Sequence, residues 1–110
     1  MDDVVYFGKT NFRNAQRTFG IKATDRRQHT YIIGKTGTGK TALITNIALQ
    51  DIKNGKGLCI IDPHGELVES ILPRIPPERV NDIIYFNPED TEYPIGFNVL
   101  EVTDPSYKHL

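Results

Sequence analysis

Cysteine is almost missing from this sequence of 110 residues: Cys59 is the single one, which excludes an internal disulfide framework of the kind that staples small secreted folds. Long apolar runs are missing as well. No stretch approaches the roughly 18 to 20 consecutive apolar residues that span a bilayer, and Met1-Asp2-Asp3 is acidic where a secretory leader is basic. Internal repeats and low-complexity segments are also lacking. These gaps point to a cytoplasmic chain, and 38% hydrophobic with 25% charged residues is the composition of an ordinary folded domain. One domain with a modest core is the ceiling at this length. Cys59 lies in the apolar run Leu58 to Ile61 and is expected to be a buried strand residue rather than a metal ligand or nucleophile.

The net charge is only -1, but residues 1 to 40 hold eight Lys or Arg against three Asp, while the rest holds five against eleven acids. Such asymmetry suits a phosphate or nucleic-acid surface, and equally a solvated lead-in. No run of Lys/Arg interleaved with aromatics decides between them.

Val4-Val5-Tyr6-Phe7 has the branched and aromatic character of a strand ended by Gly8, and residues 9 to 28 carry mixed signals. Thr30-Tyr31-Ile32-Ile33 is a compact apolar run stopped by Gly34, as for a strand buried on both faces of a parallel sheet. From Lys40 to about Lys53, Leu43, Ile44, Ile47, Ala48 and Ile52 recur at three- and four-residue steps, which predicts a helix closed by Asn54-Gly55-Lys56-Gly57. Leu58 to Ile61 predicts a second buried strand that delivers Asp62 to its edge. A helix over Glu66–Leu72 stopped by Pro73, a turn at Pro76-Pro77 and a third strand at Ile83–Phe86 follow. Phe97–Leu100 is one more apolar stretch, and Asp104-Pro105 has the form of a helix start. Strand, helix, strand in this order is a right-handed parallel unit, so the fold class expected is α/β.

Gly34-Lys35-Thr36-Gly37-Thr38-Gly39-Lys40-Thr41 matches the phosphate-binding pattern G-x-x-x-x-G-K-S/T in full, between a predicted strand and an amphipathic helix. Glycines at 34, 37 and 39 open backbone conformations closed to other residues and let N–H groups approach phosphate oxygens. The helix starting near Lys40 aims its unpaired N–H groups and positive dipole end at the same anion. Lys40 then reaches the β- and γ-phosphates of ATP, the Thr41 hydroxyl takes a Mg2+ position, and Lys35, Thr36 and Thr38 offer mainly backbone contacts.

Asp62-Pro63-His64-Gly65 looks at first like the D-x-x-G of a GTPase or the magnesium-directing aspartate of an ATPase. Its place directly after the phosphate-loop helix argues against both, and no Asn-Lys-x-Asp guanine motif is present. Two readings of Asp62 stay open: a group touching the Mg2+ shell through water, or a turn-former. His64 reads as a loop residue, with catalysis the less favoured role.

His29 to Gly34 with the complete loop, and Ile60-Ile61-Asp62-Pro63-His64-Gly65-Glu66 one helix later, resemble the HerA-FtsK superfamily of DNA-pumping ATPases, and within it the conjugative coupling-protein ATPases of type IV secretion. Tyr85-Phe86-Asn87-Pro88 and Pro94-Ile95-Gly96-Phe97-Asn98 are similar to the same group, so the likeness covers about residues 25 to 101. The resemblance implies a P-loop NTPase fold, a three-layer α/β/α sandwich on a mainly parallel sheet. It further implies a hexameric homo-oligomeric ring that hydrolyses ATP and threads DNA, with conjugation or secretion machinery as partners and a place at the inner face of the membrane through them. A later strand ending in Asp-Glu, a polar sensor and an arginine finger, which such motors need, are not assignable, and the family's later sheet strands are not found. The expectation is therefore residues 1–28 as a strand and basic lead-in and 29–110 as the N-terminal part of a larger ATPase domain, binding nucleotide better than it turns it over. The alternatives are a stand-alone nucleotide-binding module without turnover and a small P-loop GTPase or kinase.

Overall fold

The computed structural model describes residues 3–96. The predicted Phe97–Leu100 stretch and the helix start at Asp104-Pro105 lie outside them. Strand β1 (Val4–Lys9) pairs antiparallel with β2 (Thr18–Lys22). Val4 faces Lys22, Val5 faces Ile21 and Tyr6 faces Gly20; the register then slips, so that Gly8 faces Phe19 and Lys9 faces Thr18. Phe7 is the extra residue of this bulge, and its ring stands edge-on to Phe19 with centroids 5.3 Å apart. The expected strand over Val4–Phe7 thus runs on through Gly8, and β2 is an addition that the sequence pattern did not reveal. A 3-10 turn at Asp25–Arg27 follows the hairpin.

Helix α1 (Lys40–Lys53) forms where the apolar periodicity predicts it. Its last turn is closed by the main chain: Asn54 N–H donates to the Gln50 carbonyl at 2.9 Å and Lys56 N–H to that of Asp51 at 2.9 Å, across a left-handed Gly55. The Arg79 guanidinium adds a donor to the Ile52 carbonyl at 3.1 Å. Helix α2 (Glu66–Ile71) is followed by a 3-10 turn at Leu72–Arg74 rather than a further α residue, because Pro73 brings no N–H to continue the ladder. A second 3-10 stretch, Pro77–Asp82, occupies what the paired prolines suggested only as a turn. Ala48 and Ile52 of α1 and Ile71 of α2 form the buried cluster, with Leu49, Ile60, Leu67 and Ile75 packed against it. Thr45 and Ser70 join the two helices through a hydroxyl contact of 3.1 Å.

Polar groups fasten the hairpin and its flanking residues to α1 and to the turn that follows it. The Gln50 side-chain amide pairs with both main-chain groups of Tyr6, accepting from its N–H at 2.9 Å and donating to its carbonyl. It acts as a short piece of neighbouring strand. Arg26 forms a two-pronged pair with Asp51 at 2.6 and 2.7 Å, and Lys56 meets Asp3 at 2.9 Å. The Asp51 side chain is 10% exposed.

The apolar runs expected as buried strands differ from expectation. Among the described residues, Thr30–Ile33, Leu58–Ile61 and Ile83–Phe86 carry no ladder pairing, and Tyr31, Ile33, Ile61 and Ile84 are 79 to 89% exposed. A parallel strand satisfies its N–H and C=O groups only through neighbours on both sides, and the described residues set no strand beside these runs. Cys59 is exposed for the same reason, a correction to its expected burial. No helix among the described residues is long and apolar enough to cross a membrane.

Candidate phosphate-binding site

The loop from Gly34 to Thr41 is folded around one carbonyl. The Lys35 oxygen accepts from the Thr38 N–H at 3.2 Å, from the Thr38 hydroxyl at 2.6 Å and from the Lys40 ammonium at 3.0 Å. Lys40 also donates to the Gly34 carbonyl. Its charge is therefore held inside the turn rather than extended into solvent. Thr38 is more than the backbone contributor expected: its hydroxyl closes the loop. Gly34 has no room for a side chain, since a Cβ there would lie 2.5 Å from the Thr38 hydroxyl.

Gly37 and Gly39 have φ of 81° and 95°, the left-handed region that other residues enter at a cost, and a Cβ built on either would meet nothing within 4 Å. The same two positions are thus conformationally special and spatially open. Gly39 is the N-cap of α1, and no side chain caps that end. The first intrahelical bond runs from Leu43 N–H to the Gly39 carbonyl at 3.0 Å, so the N–H groups at the helix start lack intrahelical partners and point at the loop opening. Thr36 and Thr41 are exposed at the rim. A groove of about 350 Å³ continues from Thr41 past Thr45 to Ser70 and Arg74. Arg74, which the motif does not single out, thereby shares a groove with Thr41.

Left-handed glycines, an ammonium folded onto the loop carbonyls, a helix start without a side-chain cap and the exposed Thr41 stand together at this loop. No group of three or more His, Cys, Asp or Glu side chains that could hold a metal by protein ligands alone occurs among the described residues.

Asp62 is bound up in its own turn. One carboxylate oxygen accepts from the N–H groups of Leu67 at 2.8 Å and Val68 at 3.2 Å, and the other from His64 N–H at 3.2 Å. Desolvation, the largest single influence, pushes its pKa up; donors at Val68, Leu67, His64 and Gly65 together outweigh it and hold the carboxyl below its ordinary value. Asp62 thus caps α2, whose own N-cap Gly65 has no side chain to do so. Among the described residues its hydrogen bonds stay within 62–68 and none reaches the loop at 34–41. His64 is exposed and contributes its main-chain N–H to that turn. The sequence order Asp-Pro-x-Gly before a helix was the signal for this cap.

A family model described as the central domain of the helicase HerA matches residues 8–107. No curated protein and no solved structure matches the chain.

Proposed function

The chain belongs to the family of the HerA helicase central domain, and on that premise we propose that it is the ATP- and Mg2+-binding part of a motor ATPase that moves DNA, of the conjugative type IV secretion kind. The observation that carries the reading is the loop itself: Gly37 and Gly39 open and left-handed, Lys40 held over the turn, and α1 uncapped behind it.

In this reading the triphosphate enters the turn and takes hydrogen bonds from the main chain at Gly37 to Gly39 and from the start of α1. Lys40 exchanges the Gly34 and Lys35 carbonyls for β- and γ-phosphate oxygens, a cation–anion contact in place of one between a cation and neutral carbonyls. The Thr41 hydroxyl would help hold Mg2+, which would supply charge neutralisation for phosphoryl transfer. Asp62 acts through α2, with contact to the Mg2+ shell through water as its secondary role. The fold proposed is the three-layer P-loop α/β/α sandwich. Support comes from the exposed apolar faces at Tyr31, Ile33, Ile61 and Ile84, which ask for covering strands. Groups that activate water and stabilise the transition state are not assigned in this chain, so it binds nucleotide without efficient turnover and reaches full rate in an assembled ring.

Titration with a fluorescent ATP analogue tests the site. Micromolar binding that is lost in Lys40→Ala and competed by ATP in preference to GTP supports it; unchanged affinity in Lys40→Ala or a strong GTP preference overturns it. DNA-stimulated hydrolysis in the assembled protein separates a motor from a binding module.

A further inference from the structure

The tip of the β1–β2 hairpin folds Lys9 and Arg17 back to one end, with Phe12 and Arg13 at the turn between them. Residues 4 to 24 contain Lys9, Arg13, Arg17 and Lys22 and no Asp or Glu. The turn is tight: Thr10 N–H donates to the Arg17 carbonyl at 2.8 Å, Arg17 N–H to the Thr10 hydroxyl at 2.9 Å, and Ala15 N–H to the Phe12 carbonyl at 2.9 Å. Lys9 and Arg17 are thereby carried to the same end of the hairpin as Phe12 and Arg13. Phe12 is 68% exposed, and the Arg13 guanidinium lies 5.0 Å from its ring centroid.

An exposed phenylalanine alone is ordinary, but this one sits on a strained support. Arg13 and Asn14, the two central residues, have φ of 50° and 59°, as two-residue hairpin turns require. An arginine there is costly where Asn or Gly would serve. It sets a cation over one face of the Phe12 ring, at the turn of the hairpin. The hairpin is in turn held at Tyr6 by Gln50 and Asn46 of α1, the helix that begins at the phosphate loop.

We propose that this tip is a contact for single-stranded DNA, with Phe12 and the Arg13 guanidinium offering a stacking face to one unpaired base and Lys9, Arg13 and Arg17 meeting the adjoining phosphates. A base within a duplex keeps its faces covered by its neighbours, so a stacking ring selects the single strand. The proposal rests on the DNA-motor reading above and adds to it the strand state that is held and the element that holds it.

The test uses the whole 110-residue chain and a fluorescein-labelled oligo(dT), followed by anisotropy over a series of salt concentrations. Phe12→Ala is expected to weaken binding about 5- to 150-fold, the usual loss for one stacked base. Arg13→Asn, which suits the left-handed turn and so preserves the hairpin, and Arg17→Gln are each expected to lower the salt slope by about 0.7. Duplex DNA is expected to be indifferent to Phe12→Ala. The same samples are titrated with the ATP analogue, which the hairpin variants should bind as the parent does. If oligo(dT) binding is retained in Phe12→Ala and Arg13→Asn, the hairpin proposal is overturned and the DNA reading stands; the same holds if only self-association changes. If the parent itself binds no oligo(dT) while binding ATP, the hairpin proposal is overturned, and DNA-stimulated hydrolysis in the assembled protein decides the motor reading separately.

Discussion

Replacing Arg26 by alanine strands the Asp51 carboxylate. Asp51 lies on the inner side of α1, 7% exposed, and its two oxygens each take one guanidinium nitrogen at 2.6 and 2.7 Å. Its hydrogen-bonded partner is held in the charged form, first by that hydrogen bond and then, against desolvation, by the charges of Asp51 and Asp3. Breaking a fully buried pair costs about 3 to 5 kcal/mol and an exposed one about 0 to 1. With the Arg26 side chain 32% exposed, solvent screening places this pair between the limits, at about 2 kcal/mol. At an unfolding entropy of about 2.1 cal/mol/K per residue, that loss lowers the melting temperature of a chain this long by about 9 °C. Thermal melts of Arg26→Ala, Asp51→Ala and the double variant form a closed cycle, and the two single losses should overlap by about 1.5 kcal/mol or more. A coupling below about 0.5 kcal/mol would refute the claim that this pair fastens the lead-in to α1.

Other expectations follow from single contacts. Gly34→Ala drives a methyl group against the Thr38 hydroxyl and should weaken ATP-analogue binding about tenfold or more, equivalent to about 1.4 kcal/mol; parental affinity would show that the loop has slack there. Ile71→Ala removes one of the three residues of the buried cluster and should cost about 2 to 4 kcal/mol by urea titration. The Asp62 carboxyl has a folded pKa below its unfolded value, so its contribution is present above about pH 4 and is lost as pH falls through the lower folded pKa. The stability gap between the parent and Asp62→Asn should therefore close on acidification, and a gap constant from pH 7 to about pH 2 would contradict the capping role.

The functional loop was legible because its chemistry is local. Eight consecutive residues carry the whole motif and the adjoining helix announces itself by period, so the left-handed Gly37 and Gly39 and the span of α1 match the pattern. Asp62 was left between two roles by sequence, because Asp-Pro-x-Gly suits a turn and a metal edge alike; three main-chain donors at 2.8 to 3.2 Å favour the cap. Strand β2 escaped notice because its five residues centre on Gly20 and its turn uses Arg13 rather than glycine. The apolar runs at 30–33, 58–61 and 83–86 show the opposite limit. Their composition is that of central strands, yet pairing is a property of two segments and not of one.

Sequence by itself determined the loop motif and the span of α1, since each depends on residues within a few positions of one another, and it carried the family resemblance through motifs spread along the chain. Tertiary structure alone decided that Gln50 completes the edge of β1, that Arg26 and Asp51 lock the lead-in to α1, and that Phe12, Arg13 and Arg17 share one hairpin tip. Those contacts join residues brought together only by the turn and by packing. Their energy comes from geometry that no linear spacing encodes.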